Sequence, residues 1–132
     1  MKRMAAEWLK SASLDLENVS HIIKIENLTP VAAFHCQQCV EKCFKAVLEN
    51  EEREPPKTHD VFKLYVLISD SGNFDFDQNM LFSLRDFYID ARYPGNLGLL
   101  PNGKPTLVEA REFYKFATTV YETISRKLKQ LD

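Results

Sequence analysis

Several things are missing from this sequence, and each absence narrows what the protein is. No apolar run approaches membrane-spanning length, and the opening residues MKRMAAEWLK lack the apolar core of a signal peptide. A cytoplasmic protein with no membrane partner is expected. An excess of one charge is also missing. Lys and Arg total 17 against 19 Asp and Glu, for a formal net charge of -2. That excludes bulk-charge binding to DNA and leaves room only for a small local basic site. Cysteine is scarce and odd in number, at 3, which fits a reducing compartment rather than a disulfide framework. Alternating apolar and polar runs of strand length are absent, as are internal repeats. The only biased segment is the short charged break ENEEREPPK at 49–57. Glycine is rare: of 4 in the chain, all but Gly72 lie between Tyr93 and Pro105. Gly95 and Gly98 are too close together for a phosphate-binding loop, and no Gly-Lys-Ser/Thr follows them.

What remains is ordinary globular composition, 45% hydrophobic and 27% charged over 132 residues. This is enough chain for one domain, 1–132, with a buried core. Met4, Ala5, Trp8, Leu9, Ala12, Leu16, Val19 and Ile23 recur every three or four residues and predict a helix over 3–26. Ile22 and Ile25 fall outside that stripe and suggest a dimer contact or cover by the next turn. Thr29 and Pro30 read as a cap followed by a first-turn proline. They open a second helix to about Asn50, with core stripe Ala33, Cys36, Val40, Cys43, Phe44 and Val47. Beside it runs a polar stripe of His35, Gln38, Lys42 and Glu49, with Gln37, Glu41 and Lys45 flanking the two. Thr58 reads as the cap of a short third helix carrying Val61, Leu64, Tyr65 and Ile68, with Gly72 closing it. Phe74 and Phe76 then read as apolar pegs in a loop. A fourth helix carries Leu81, Leu84, Phe87, Tyr88 and Ala91 and stops at Tyr93, because Pro94 disfavours the α region before it. Thr106 and Glu109 form a capping box for the last helix, lined by Ala110, Phe113, Ala117, Val120, Ile124, Leu128 and Leu131. The predicted architecture is all-α: an antiparallel up-and-down bundle of four main helices plus one short helix.

Candidate chemistry gathers at the end of the fourth helix. Arg85, Tyr88 and Arg92 share a stripe at i, i+3 and i+7, and Arg92 and Tyr93 stand at the helix end before the glycine-bearing loop. Guanidinium groups and phenols there suit bidentate recognition of a phosphate. If the second and fourth helices pack side by side, His35, Lys42 and Lys45 form the opposite wall. Cys36, Cys39 and Cys43 fall within one narrow sector that coincides with the apolar stripe, so they read as core. No second Cys/His pair completes a zinc site, and no metal is expected. His35 and His59 are the histidines in plausible functional positions; His21 is on the polar side of the first helix. No nucleophile context or catalytic set is recognisable.

Four segments together carry a resemblance: AEWLKSASLDLENV, AAFHCQQCVEKCFKAVLE, PKTHDVFKLY and YIDARYPG. In this order and spacing the chain resembles the HEPN domain (higher eukaryotes and prokaryotes nucleotide-binding), in the subgroup with an ARYP motif. The resemblance implies a bundle of four or five helices that commonly forms a homodimer. It also implies a small prokaryotic protein, often encoded beside a minimal nucleotidyltransferase in a toxin-antitoxin-like pair. Many such proteins are metal-independent RNases using Arg-x(4–6)-His near the end of a late helix. Arg92 matches that arginine, but no histidine follows it. Arg53 and His59 have permitted spacing yet flank Pro55 and Pro56 before the third helix, so that match is coincidental. The expectation is therefore a non-enzymatic module, without cofactor, that binds a nucleotide or RNA phosphate and partners a separately encoded nucleotidyltransferase. Its ligand residues would be Arg92, Tyr93, Tyr88, Arg85, Lys42, Lys45, His35 and His59. The alternatives are an endoribonuclease recruiting His35 or His59, and a purely structural interaction subunit.

Overall fold

The computed structural model describes residues 1–92 and 103–131, without the side chains of residues 89–92. Among the described residues there are five α-helices: α1 Arg3–Ile22, α2 Thr29–Asn50, α3 Val61–Ile68, α4 Gln78–Arg92 and α5 Leu107–Gln130. A 3-10 turn over Glu26–Leu28 joins α1 to α2. There is no strand among the described residues.

Contacts at the helix ends fix the directions. The Lys2 amide donates to Asn50 Oδ1 at 2.8 Å, placing the start of α1 at the end of α2. Phe34 near the start of α2 stacks on Tyr88 near the end of α4, while Phe44 stacks on Phe76 just before α4. α1 and α4 thus both run antiparallel to α2. The Thr29 hydroxyl donates to the Pro105 carbonyl at 2.6 Å, so α5 starts beside α2 and runs with it. Successive main helices alternate in direction, as expected of an up-and-down bundle, and short α3 runs alongside α2.

α2 is the axis of the bundle. Ala32, Ala33, Cys36, Cys39, Val40, Cys43, Phe44, Ala46, Val47 and Leu48 are all buried on it. Small side chains on much of that helix let α1 and α5 approach closely, and Phe44 fills the space toward α3 and α4. The predicted apolar residues of α3, Val61, Leu64, Tyr65 and Ile68, are all buried. The capping box forms as predicted: Thr106 Oγ1 accepts from the Glu109 amide, and Glu109 Oε1 accepts from the Thr106 amide, both at 3.0 Å. Phe74 and Phe76 are indeed pegs. Their loop is tied by the Tyr65 hydroxyl, which donates to the Phe74 carbonyl and accepts from the Phe76 amide.

Five local readings change. The first helix ends at Ile22, not 26, because Ile25 is extended as the chain reverses into α2. Thr29 does not cap α2; it is the first helical residue, and its hydroxyl holds the segment before α5. Asp60, not Thr58, caps α3. Its carboxylate takes the Phe62 and Lys63 amides, and the Thr58 hydroxyl accepts from the Asp60 amide. Gly72 does not close α3, which ends at Ile68; the positive φ in this turn belongs to Asn73. The site at 72 is tight: a Cβ there would lie 3.0 Å from the Phe74 ring, which would have to shift by a few tenths of an ångström. At the C-terminus Leu131 lies beyond α5 and is exposed rather than part of its apolar face.

Candidate functional site

Two buried carboxylates organise the polar side of α2. Asp15 comes from α1, where it sits between Ala12 and Val19 at spacings of three and four on the apolar stripe. It is buried, and its two oxygens are divided between two residues of α2: His35 Nδ1 at 2.9 Å and Lys42 Nζ at 2.8 Å. His35 and Lys42 are seven residues apart, two turns, so both reach α1 from one edge of α2.

Glu41 is the second centre, 4% exposed. Lys45, one turn on, donates to its Oε2 at 3.0 Å. Its Oε1 receives His59 Nδ1 at 3.0 Å and Gln37 Nε2 at 3.2 Å. The same Gln37 amide donates to the His59 carbonyl at 2.7 Å, which anchors the segment ahead of α3 to α2. Gln38 donates to Gln37 Oε1 at 2.7 Å and lies between the two centres on the helix surface. A buried charge is tolerated only when paired and hydrogen-bonded, and both carboxylates meet that condition.

An aromatic run lies along the edge facing α4. His35 meets the edge of Phe34, Phe34 stacks on Tyr88 at 5.7 Å, and Tyr88 lies 4.9 Å from the His59 ring. We term the strip of α2 between the two carboxylate centres the groove; Glu41 and Tyr88 are buried beneath it, at 4% and 5% exposure. Asp15, His35 and Lys42 form the α1 side, and Glu41, His59 and Tyr88 form the α4 side. Both histidines reach solvent, with side chains 26% and 50% exposed. Each gives Nδ1 to a carboxylate, and Nε2 has no hydrogen-bond partner among the described residues.

The predicted site residues divide accordingly. His35, Lys42, His59 and Tyr88 are brought together around the groove. Lys45 is drawn inward: its side chain is only 8% exposed, bound to Glu41, with Nζ 5.5 Å from the Trp8 ring centre. Arg85 is engaged elsewhere, 5.1 Å from the Phe82 ring centre and 3.2 Å from Asp86. Arg92 is the last residue of α4, one turn on from Tyr88; its side chain lies outside the described residues, as does Tyr93 with the loop through 102. Asp15, Glu41, Gln37 and Phe34 were absent from the predicted set. The i, i+4 ladder Gln37–Glu41–Lys45 was a legible signal for Glu41, and the position of Asp15 between Ala12 and Val19 was one for Asp15.

Cys36, Cys39 and Cys43 are fully buried in the core. Burial pushes the Cys36 and Cys43 thiols well above the ordinary cysteine range, with smaller contributions from Cys39 and Asp15. Among the described residues no group of three or more His, Cys, Asp and Glu side chains is disposed to hold a metal ion. None of the helices among the described residues is long and apolar enough to cross a membrane.

Comparison with known proteins places this geometry. The family model for the HEPN domain matches residues 5–128. TT1696 from Thermus thermophilus has a similar crystal structure, with TM-score 0.76 and 21% identity over 96% of this chain and 99% of that one. ST0689, described as an archaeal HEPN homologue, has TM-score 0.70 and 24% identity over 97% of this chain and 99% of its own. At these identities the likeness shows a shared fold. No curated protein sequence matches the chain significantly.

Proposed function

The chain belongs to the HEPN domain family, a family of nucleotide-related helical domains, and we propose that it binds a nucleotide or RNA phosphate in the groove over α2. The observation that carries this reading is the run of rings Phe34, Tyr88 and His59 beside two partly open imidazoles and the Lys42 ammonium. Tyr88 is only 5% exposed, so the open ring surface that suits a base is that of Phe34 and His59, and nitrogen donors suit a phosphate. Arg92, at the end of α4, is the residue expected to supply the bidentate phosphate contact. In this reading the module acts in the cytoplasm as a homodimer and as the partner of a minimal nucleotidyltransferase in a toxin-antitoxin-like pair.

A thermal-shift screen of nucleotides and short RNAs tests the binding. A ligand at about 100 times its dissociation constant adds roughly 2.7 kcal/mol of stability. A clear rise in melting temperature with an adenine or guanine nucleotide supports the reading. No rise with any nucleotide or RNA at millimolar concentration refutes it and leaves the interaction-subunit alternative. Incubation with RNA in EDTA separates the enzymatic alternative: intact RNA supports a binding module, and cleavage that is lost in His35→Gln or His59→Gln supports the endoribonuclease.

A further inference from the structure

We propose that anion binding in this groove is coupled to proton uptake, with the phosphate received by His35 and His59 in their doubly protonated form and released as they lose that proton. This rests on the phosphate-binding reading above and goes beyond it by naming the donors and their charge state.

An ionised carboxylate only accepts, so the ring nitrogen that faces it carries the hydrogen. His35 turns Nδ1 to Asp15 and His59 turns Nδ1 to Glu41. A neutral imidazole has one N–H, and here that hydrogen is committed inward. Nε2, the nitrogen without a partner among the described residues, is then a lone pair, which repels a phosphate oxygen. Protonation places a hydrogen on Nε2 and turns the same atom into a charged donor. The two histidines reach this condition from different elements, α2 and the segment before α3, through the same arrangement.

Charge leads to the same conclusion. On α1 the facing group is Asp15. On α2 they are Glu41, Lys42 and Lys45, and the two ammonium groups each contact one of the two carboxylates. Asp60, next to His59, is engaged at the start of α3. On α4 Arg85 pairs with Asp86, and the side chains of Asp90 and Arg92 lie outside the described residues. With neutral histidines the two carboxylates and two lysines cancel, and beyond Arg92 the groove offers an anion no net attraction. With both histidines protonated it carries two positive charges. Asp15 and Glu41 never touch the ligand in this scheme; they are positioning residues that fix which nitrogen faces it.

The test is calorimetric titration of the full chain with the dinucleoside monophosphate ApA. Its single phosphodiester keeps its charge across the range, whereas a terminal phosphate titrates near pH 6 and would obscure the effect. Measurements at about pH 6 and about pH 8 bracket ordinary histidine titration. Repeating each in two buffers of different ionisation enthalpy counts the protons taken up. The expected result is affinity at least about tenfold weaker at the higher pH, with net proton uptake at the lower. His59→Gln and His35→Gln, both at solvent-reaching positions, should each lower the number of protons taken up and flatten the pH dependence. Binding of equal affinity at both pH values without proton uptake overturns the proposal and leaves the phosphate-binding reading standing. Absence of binding at both pH values removes the reading and the proposal together.

Discussion

Asp15 on α1 and His35 on α2 are joined at 2.9 Å, and the other Asp15 oxygen is taken by Lys42 at 2.8 Å. This places a carboxylate on the apolar seam between two antiparallel helices and ties the first third of the chain to the groove. The same arrangement recurs at Glu41, where the donors arrive from α2 itself and from the segment before α3.

The two centres should differ in their effect on stability. Glu41→Ala strands Lys45 in the interior, and loss of one partner of a buried pair costs about 3–5 kcal/mol. Asp15→Ala leaves His35 and Lys42, both of which reach water, so its cost is that of lost hydrogen bonds, about 1–3 kcal/mol. Urea unfolding of both variants measures the ranking. Equal effects would mean that Lys45 finds solvent once Glu41 is gone.

The thiols should be inert while the chain is folded. Burial raises the Cys36 and Cys43 thiols above the ordinary value of 9.0, so the folded state holds those protons more tightly than the unfolded state. The associated stability is present below pH 9.0 and is lost as pH rises above it. Alkylation by iodoacetamide in native buffer should be at least about a hundredfold slower than in denaturant, since it must await opening of the core. Rapid native labelling at Cys36 would contradict the packing around α2.

A homodimer is expected in solution. Ile22 packs against the core of its own chain, but Ile25 is 45% exposed at the turn before α2. Light scattering at high micromolar concentration should give twice the chain mass, and Ile25→Glu should reduce it. A monomer at every concentration would refute this expectation.

Arg92 should matter to affinity more than to folding. A charge-assisted contact contributes about 1.5–3 kcal/mol, so Arg92→Ala should weaken nucleotide or RNA binding by roughly ten- to a hundredfold. Arg92→Lys should not restore it, because an ammonium lacks the planar fork. Calorimetry and thermal unfolding on the same variants separate the roles. Unchanged affinity with a lower melting temperature would assign Arg92 to closing α4.

The helices were legible because each repeats its apolar residues at helical spacing. The capping box at Thr106 and Glu109 was readable for the same local reason. The site was only half legible. His35, Lys42, His59 and Tyr88 stand at the groove, but Lys45, expected beside them in the phosphate-binding wall, is an inward partner of Glu41. What decides between these is which donors arrive from elsewhere, and His59 reaches Glu41 from 18 positions along the chain. Helical periodicity carries no information about such arrivals. Arg85 is a different case: it shares the stripe of Tyr88, yet its own neighbours on α4, the ring of Phe82 and the carboxylate of Asp86, engage it.

The central claim, that the groove over α2 holds a nucleotide or RNA phosphate, is tested most directly by amide chemical-shift mapping. Uniformly 15N-labelled protein is titrated with ApA at about pH 6. The account predicts shifts concentrated at residues 33–42 of α2, at 58–60, and at 85–92 of α4. Shifts confined to the Tyr121–Gln130 surface of α5, or none at millimolar ligand, would contradict it.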